Sequence, residues 1–221
     1  TSLTFFLFVA LLFLIKYCEK KKNIFIVASG LSFSLAVLSK GPPAVVFIFP
    51  LLFLLITKKI TARDILKFSL ASGVIIIPWI SLLGLFFGFS EFSKIFTKFA
   101  VYSAVVEYSH IKAPVFWYLR WWWDSFRPGW TLFLALFVLD LYLKKFSLKE
   151  FPLRKTILLS YIFGGLVMFS LATNKIWWYV LPLIPAVSLY IYLSVYDYLK
   201  KYPAGLVNLS LSIILASLPF F

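Results

Sequence analysis

The chain carries one cysteine, one histidine and one methionine, and its 22 lysines and arginines face only 8 aspartates and glutamates. A lone cysteine excludes an intrachain disulfide and any cysteine-built metal site, so Cys18 reads as a bystander at a helix end. A lone histidine cannot assemble a metal site by itself. Charge of either sign is scarce: 14% of the 221 residues against 62% hydrophobic, with long runs free of charge. That scarcity excludes an ordinary water-soluble core. The net charge of +14 raises nucleic acid as a partner, but the cations fall in short clusters between apolar runs and form no continuous basic face. Their placement is a topology signal. No basic segment precedes the opening run "TSLTFFLFVALLFLI", so no cleavable leader is read there. The expectation is a piece that begins within a longer protein.

What is present is a series of charge-poor spans, at residues 2–16, 24–38, 43–57, 66–88, 129–143, 156–173, 177–197 and 203–221. Each can cross a bilayer if its ends extend into the flanking loops. The expected fold is all-α, a polytopic transmembrane bundle of about eight membrane helices forming one domain over residues 1–221. Alternating the spans puts "KYCEKKKN", "KKITARDILK", "KKFSLKEFPLRK" and "LKKYP" on one side, which the positive-inside rule makes cytoplasmic. The other side receives "SKGPP", residues 89–128 and "TNKIWW". Within 89–128, Phe92, Ile95, Phe96, Phe99, Ser103 and Val106 follow helical spacing while Glu91, Lys94 and Lys98 lie off that stripe. This predicts an extracytoplasmic amphipathic helix lying in the interface, extended by tryptophans between 117 and 130. Gly84 and Gly88 in "GLFFG" read as points of close helix contact.

Three outer stretches could carry chemistry. In "LSKGPPAVVF", Pro42 and Pro43 suit a helix start, and Lys40 would then stand beside a positive helix end with free backbone donors. The other reading of Lys40 is a side chain that snorkels to the interface. In "ATNKIWWYVLPLIPA", Lys175 repeats the pattern, with Pro182 and Pro185 distorting the following helix, as a cavity border or as a packing kink. Between them, His110 stands near Lys112, Arg120 and Arg127, cations on the side where positive-inside bias disfavours them. Such a cluster asks for an anion, either a bound lipid phosphate or ordinary headgroups. The outer carboxylates, Glu91, Glu107 and Asp124, form no recognisable acid/base constellation, so no residue here is read as a general base.

In order along the chain, "LSKGPPAVVFIFPLLFLL", "EYSHIKAPVFWYL" with "RPGWTLFL", and "NKIWWYVLPLIPAVSLYI" resemble the aminoarabinose transferase and dolichyl-phosphate-mannose protein mannosyltransferase superfamily of membrane glycosyltransferases, the GT-C fold. The resemblance implies a multi-pass protein of a bacterial inner (plasma) membrane with its active face extracytoplasmic. It implies sugar transfer from a polyprenyl-phosphate-linked donor to a lipid A-like or protein acceptor, with no nucleotide or organic cofactor and no nucleic-acid partner. By the same similarity His110 matches a residue associated with a divalent metal and the lipid phosphate. Lys40, Lys112 and Lys175 become phosphate-side cations, and Trp117 and Tyr118 line the lipid groove. The family's acidic motif in the first extracytoplasmic loop is absent, so the general-base aspartate is expected upstream of Thr1, and any metal site here would be half a site. Two other classes compete. A transporter or flippase of lipid-linked sugar would use the same basic outer cavity, but its usual mid-helix ionisable residues are nearly missing from these apolar spans. A membrane scaffold leaves the Lys-Gly-Pro turn and His110 without a purpose.

Overall fold

The computed structural model describes residues 1–91, 93, 94, 97, 117–144, 151–171 and 179–201, the side chains of 42, 119, 121–123 and 201 excepted. Among them every regular element is helical: α1 (Ser2–Lys20), α2 (Asn23–Lys40), a 3-10 turn (Pro42–Phe47) running into α3 (Ile48–Ile56), α4 (Ala62–Phe87), α5 (Trp117–Leu143), α6 (Leu153–Leu171), and a second 3-10 turn (Leu181–Leu183) running into α7 (Ile184–Lys201). Five helices are long and apolar enough to cross a membrane: α1, α2, α4, the Asp124–Leu143 part of α5, and α6. The expected span at 43–57 is shorter, an apolar helix over Pro43–Ile56. Because the tighter 3-10 turn rises about 2 Å per residue, it and α3 together still reach about 25 Å. The expected span at 203–221 and the 92–106 stripe lie outside the described residues.

α1 buries Leu3, Leu7, Ala10, Leu11, Leu14 and Cys18, a stripe at spacings of three and four that faces the bundle. Its neighbour α2 answers with small residues. The Ser29 hydroxyl donates to the Ala10 carbonyl at 2.8 Å, and from α4 the Ser72 hydroxyl donates to the Gly30 carbonyl at 3.0 Å. A Cβ added at Gly30 would lie 2.5 Å from the Phe68 carbonyl oxygen, so glycine sets how closely α2 and α4 approach. Thr61 and Asp64 start α4 with a reciprocal capping box that satisfies two of its first backbone donors. The Phe33, Phe47 and Phe68 rings, 5.4–5.7 Å apart, fill the space between α2, the first 3-10 turn and α4.

Several local expectations change. Helix α5 begins at Trp117, twelve residues before the expected span, and bends at Phe126, whose φ of −134° and ψ of 35° are non-helical. Pro128 lies two residues on: it has no N–H to give residue 124, and its ring crowds that residue's carbonyl, which opens the helix over this turn. Pro182 and Pro185 do not kink a descending helix. Pro182 lies in the 3-10 turn and Pro185 in the first turn of α7, where proline's missing N–H is tolerated. Gly84 meets the helical stretch that follows α4, through Phe89, and not a distant helix. A Cβ at Gly84 would meet the ring of Phe89 at 2.3 Å, and Gly88 ends α4 with φ +79°, a backbone state that favours glycine.

The cation-rich ends gather on one face of the bundle. The Lys21 ammonium donates to the Lys59 carbonyl, joining the α1–α2 and α3–α4 turns. Arg154 at the start of α6 pairs with Glu19 at the end of α1. Three of the segments that alternation of spans assigns to one side are therefore tied together there.

Candidate functional site

The opposite end holds the described parts of the three singled-out stretches, and α6 is the post on which these parts meet. Residues Tyr161, Gly165 and Phe169 stand four apart, one above the other on a single helical face. At the lowest level, the Tyr161 hydroxyl donates to the Pro182 carbonyl at 3.4 Å while its ring meets Phe47 edge-on at 6.5 Å. One turn higher, a Cβ added at Gly165 would lie 2.6 Å from both Leu183 and Val46. The first and second proline turns are thus seated on the same glycine. At the third level, Phe169 contacts Tyr118 at 6.3 Å and Tyr179 at 5.9 Å. The Lys-Gly-Pro stretch, the Phe-Trp-Tyr-Leu stretch and the Tyr-Val-Leu-Pro stretch, far apart in sequence, share one α6 face.

Lys40 is the last residue of α2 and is partly buried. Gly41 follows with φ +68° and ψ −116°, which turns the chain out of α2 into Pro42. The expected row of free donors beside Lys40 is shortened. Pro42 and Pro43 have no N–H, and the Ala44 N–H donates to the Gly41 carbonyl at 3.0 Å. Lys40 itself, more than the helix end, supplies the positive charge here.

Tyr118 is fully buried and Trp117 partly so, their rings edge-to-face at 5.0 Å. Tyr118 is thus packed against α6 and presents no surface of its own. Arg120 and Arg127 flank the Phe126 bend and are exposed. Arg120 stands 4.0 Å from Asp124 one turn along the same helix, a loose exposed pair worth about 0–1 kcal/mol. The positions of His110, Lys112 and Lys175 lie outside the described residues, as does Glu107. Among the described residues no group of three His, Cys, Asp or Glu could hold a metal.

The largest polar feature was missed by sequence reasoning. Asp140 of α5 accepts from Lys155 Nζ at 3.1 and 3.2 Å, from the Tyr190 hydroxyl at 2.7 Å, from Ser194 Oγ at 2.9 Å and from the Tyr198 hydroxyl at 2.8 Å. Lys155 Nζ also pairs with Asp197 at 2.9 Å. Lys155, read from sequence as a loop cation, is 2% exposed and belongs to α6. Burying it requires the counter-charge and the hydroxyl shell found around it. The signal was a carboxylate inside each of two apolar runs, "FVLDLYL" and "SVYDYLK". The cluster's charged members lie towards the cation-rich face, Asp140 three residues from the end of α5, Lys155 two from the start of α6 and Asp197 four from Lys201, while Ser194 and Tyr190 reach it from about one and two turns deeper along α7. It joins three helices and leaves the opposite end to the candidate site.

Compared with protein-family models, curated proteins and solved structures, the chain matched none.

Proposed function

We propose that this chain is the membrane-embedded part of a glycosyltransferase that moves a sugar from a polyprenyl-phosphate-type lipid to a lipid or protein acceptor at the outer face of the membrane. The observation that carries the reading is that the described parts of the three motif stretches, through Val46, Phe47, Tyr118, Tyr179 and Leu183, share the Tyr161, Gly165 and Phe169 face of α6. Lys40, Lys112, Lys175 and His110 are the phosphate-side groups of this reading, and Trp117, backed by Tyr118, its groove wall. Positive charge there stabilises the lipid phosphate as it departs from the sugar, the moment at which negative charge develops on it. The bundle crosses the membrane eight times, with the Lys21 and Lys155 end cytoplasmic and the tryptophan-rich segment 89–128 lying on the outer interface. A carboxylate takes the acceptor's proton as the sugar is transferred.

The test is transfer of radiolabelled sugar from a polyprenyl-phosphate donor in membranes carrying the gene's full-length product. His110→Ala and Lys175→Ala each lower transfer by at least about tenfold with normal membrane insertion. Unchanged turnover in both sinks the assignment.

A second reading, a transporter of lipid-linked sugar, gains from the buried Asp140 and Lys155 pair, because ionisable groups within membrane helices often mark transport paths. Asp140 is three residues from the end of α5, about 5 Å along its axis, whereas transporter sites favour the bilayer midplane. Movement of a lipid-linked sugar across vesicles holding the purified protein, lost in Asp140→Asn, would favour this second reading.

A further inference from the structure

The cation-rich face carries a feature that sugar transfer does not use. Turns 20–23 and 57–61 touch through the bond from the Lys21 ammonium to the Lys59 carbonyl. Lys20, Lys21, Lys22, Lys58, Lys59 and Arg63 are all exposed around that junction. The two acids among them present little charge to the surface. Asp64 is 8% exposed and committed to the α4 capping box, and Glu19 is paired with Arg154.

The backbone of these turns is unusual for lysine. Lys21 and Lys58 have φ of +52° and +55°, the only non-glycine residues with positive φ among those described. Their N–H groups are bonded back to Tyr17 and Leu55, and Ile60, 2% exposed, pins the second turn to the core. The cations therefore sit on fixed turns. From this junction α3 and α4 diverge onto different partners, α3 chiefly onto α6 and α4 onto α2. Both show apolar side chains outward: Leu52, Leu55 and Ile56 on α3, and Leu66, Leu70 and Val74 on α4.

We propose that the two turns form the headgroup seat of a bound anionic phospholipid whose two acyl chains run along the exposed faces of α3 and α4. Charge complementarity selects the anionic headgroup, and the two apolar tracks that leave the same cationic apex select a two-chain lipid over a soluble phosphate.

The experiment is electron paramagnetic resonance of chain-labelled phosphatidylglycerol and phosphatidylcholine with the purified whole protein. The wild type immobilises the anionic lipid about fivefold in preference, the factor expected from one well-placed cation. Lys21→Asn with Lys58→Asn and Lys59→Gln brings the preference close to equality, asparagine being chosen because it tolerates positive φ. Lys59→Gln with Arg63→Gln, at positions without a positive φ, gives a partial fall if the triple variant is unstable. Lys94→Gln, paired with Glu91 beyond the far end of α4, leaves the preference unchanged. Equal immobilisation of both lipids by the wild type, or a preference kept in both sets of variants, overturns the proposal. So does full displacement by soluble glycerol phosphate, which would assign a free-phosphate site. No step reads sugar transfer, so this result stands or falls apart from the enzymatic reading.

Discussion

The two ends of the bundle are held by different forces. At the cation-rich end, helices are tied by charge and hydrogen bonds: Asp140 to Lys155 and three hydroxyls, Arg154 to Glu19, Lys21 to Lys59. At the motif end, the described contacts are mostly of shape, proline turns on Gly165 and aromatic rings on Tyr161 and Phe169, with one long hydrogen bond from Tyr161 to the Pro182 carbonyl. Directional bonds lock one end, while the other is a packed wall beside cationic side chains. The first end uses part of its charge in ion pairs between helices and keeps further cations exposed on its turns, whereas the motif end keeps Arg127 and the loosely paired Arg120 exposed on one helix. This division predicts that substitutions at the first end act on stability and those at the second act on transfer.

The largest effect should come from the charge cluster. Lys155→Met leaves the buried Asp140 carboxylate without its cation and should cost about 3–5 kcal/mol in reversible denaturation from mild detergent. Asp140→Leu should cost less, about 1–3 kcal/mol, because Lys155 keeps Asp197 and the groups stranded are hydroxyls. The reverse order would mean that Asp140 organises the cluster through its hydroxyl partners and not through charge. Gly165→Val comes next at about 1–3 kcal/mol, by driving both proline turns off α6, and it alone of these should also lower sugar transfer. Thr61→Ala removes half of the capping box and should cost about 1 kcal/mol. Ser72→Ala, which loses one interhelical hydrogen bond, should cost only about 0.6 kcal/mol, the average for such bonds inside membranes.

Much of the helical order was legible because long charge-free runs admit little else in a bilayer. The gathering of "KYCEKKKN", "KKITARDILK" and the start of α6 on one face follows from alternation alone. Less legible was anything decided by a partner distant in sequence. Lys155 looks like any loop lysine until Asp140 and Asp197 are brought to it, and Gly165 looks like a spare small residue until Val46 and Leu183 close on it. Proline was ambiguous in a different way. Pro42, Pro43, Pro182 and Pro185 start helices and Pro128 bends one, and local sequence cannot separate these roles because each satisfies the same missing N–H. For the candidate site, the order of the motifs was legible, and their common seat on α6 was not.

The account rests on the two ends facing opposite sides of the membrane. The direct measurement is labelling of Ser109→Cys, in a Cys18→Ala background, by a thiol reagent that cannot cross the bilayer, applied to intact cells and to inverted vesicles. Labelling from the outside of intact cells is the expected result. Labelling confined to inverted vesicles would place the motif end in the cytoplasm and contradict an outer-face lipid-phosphate site.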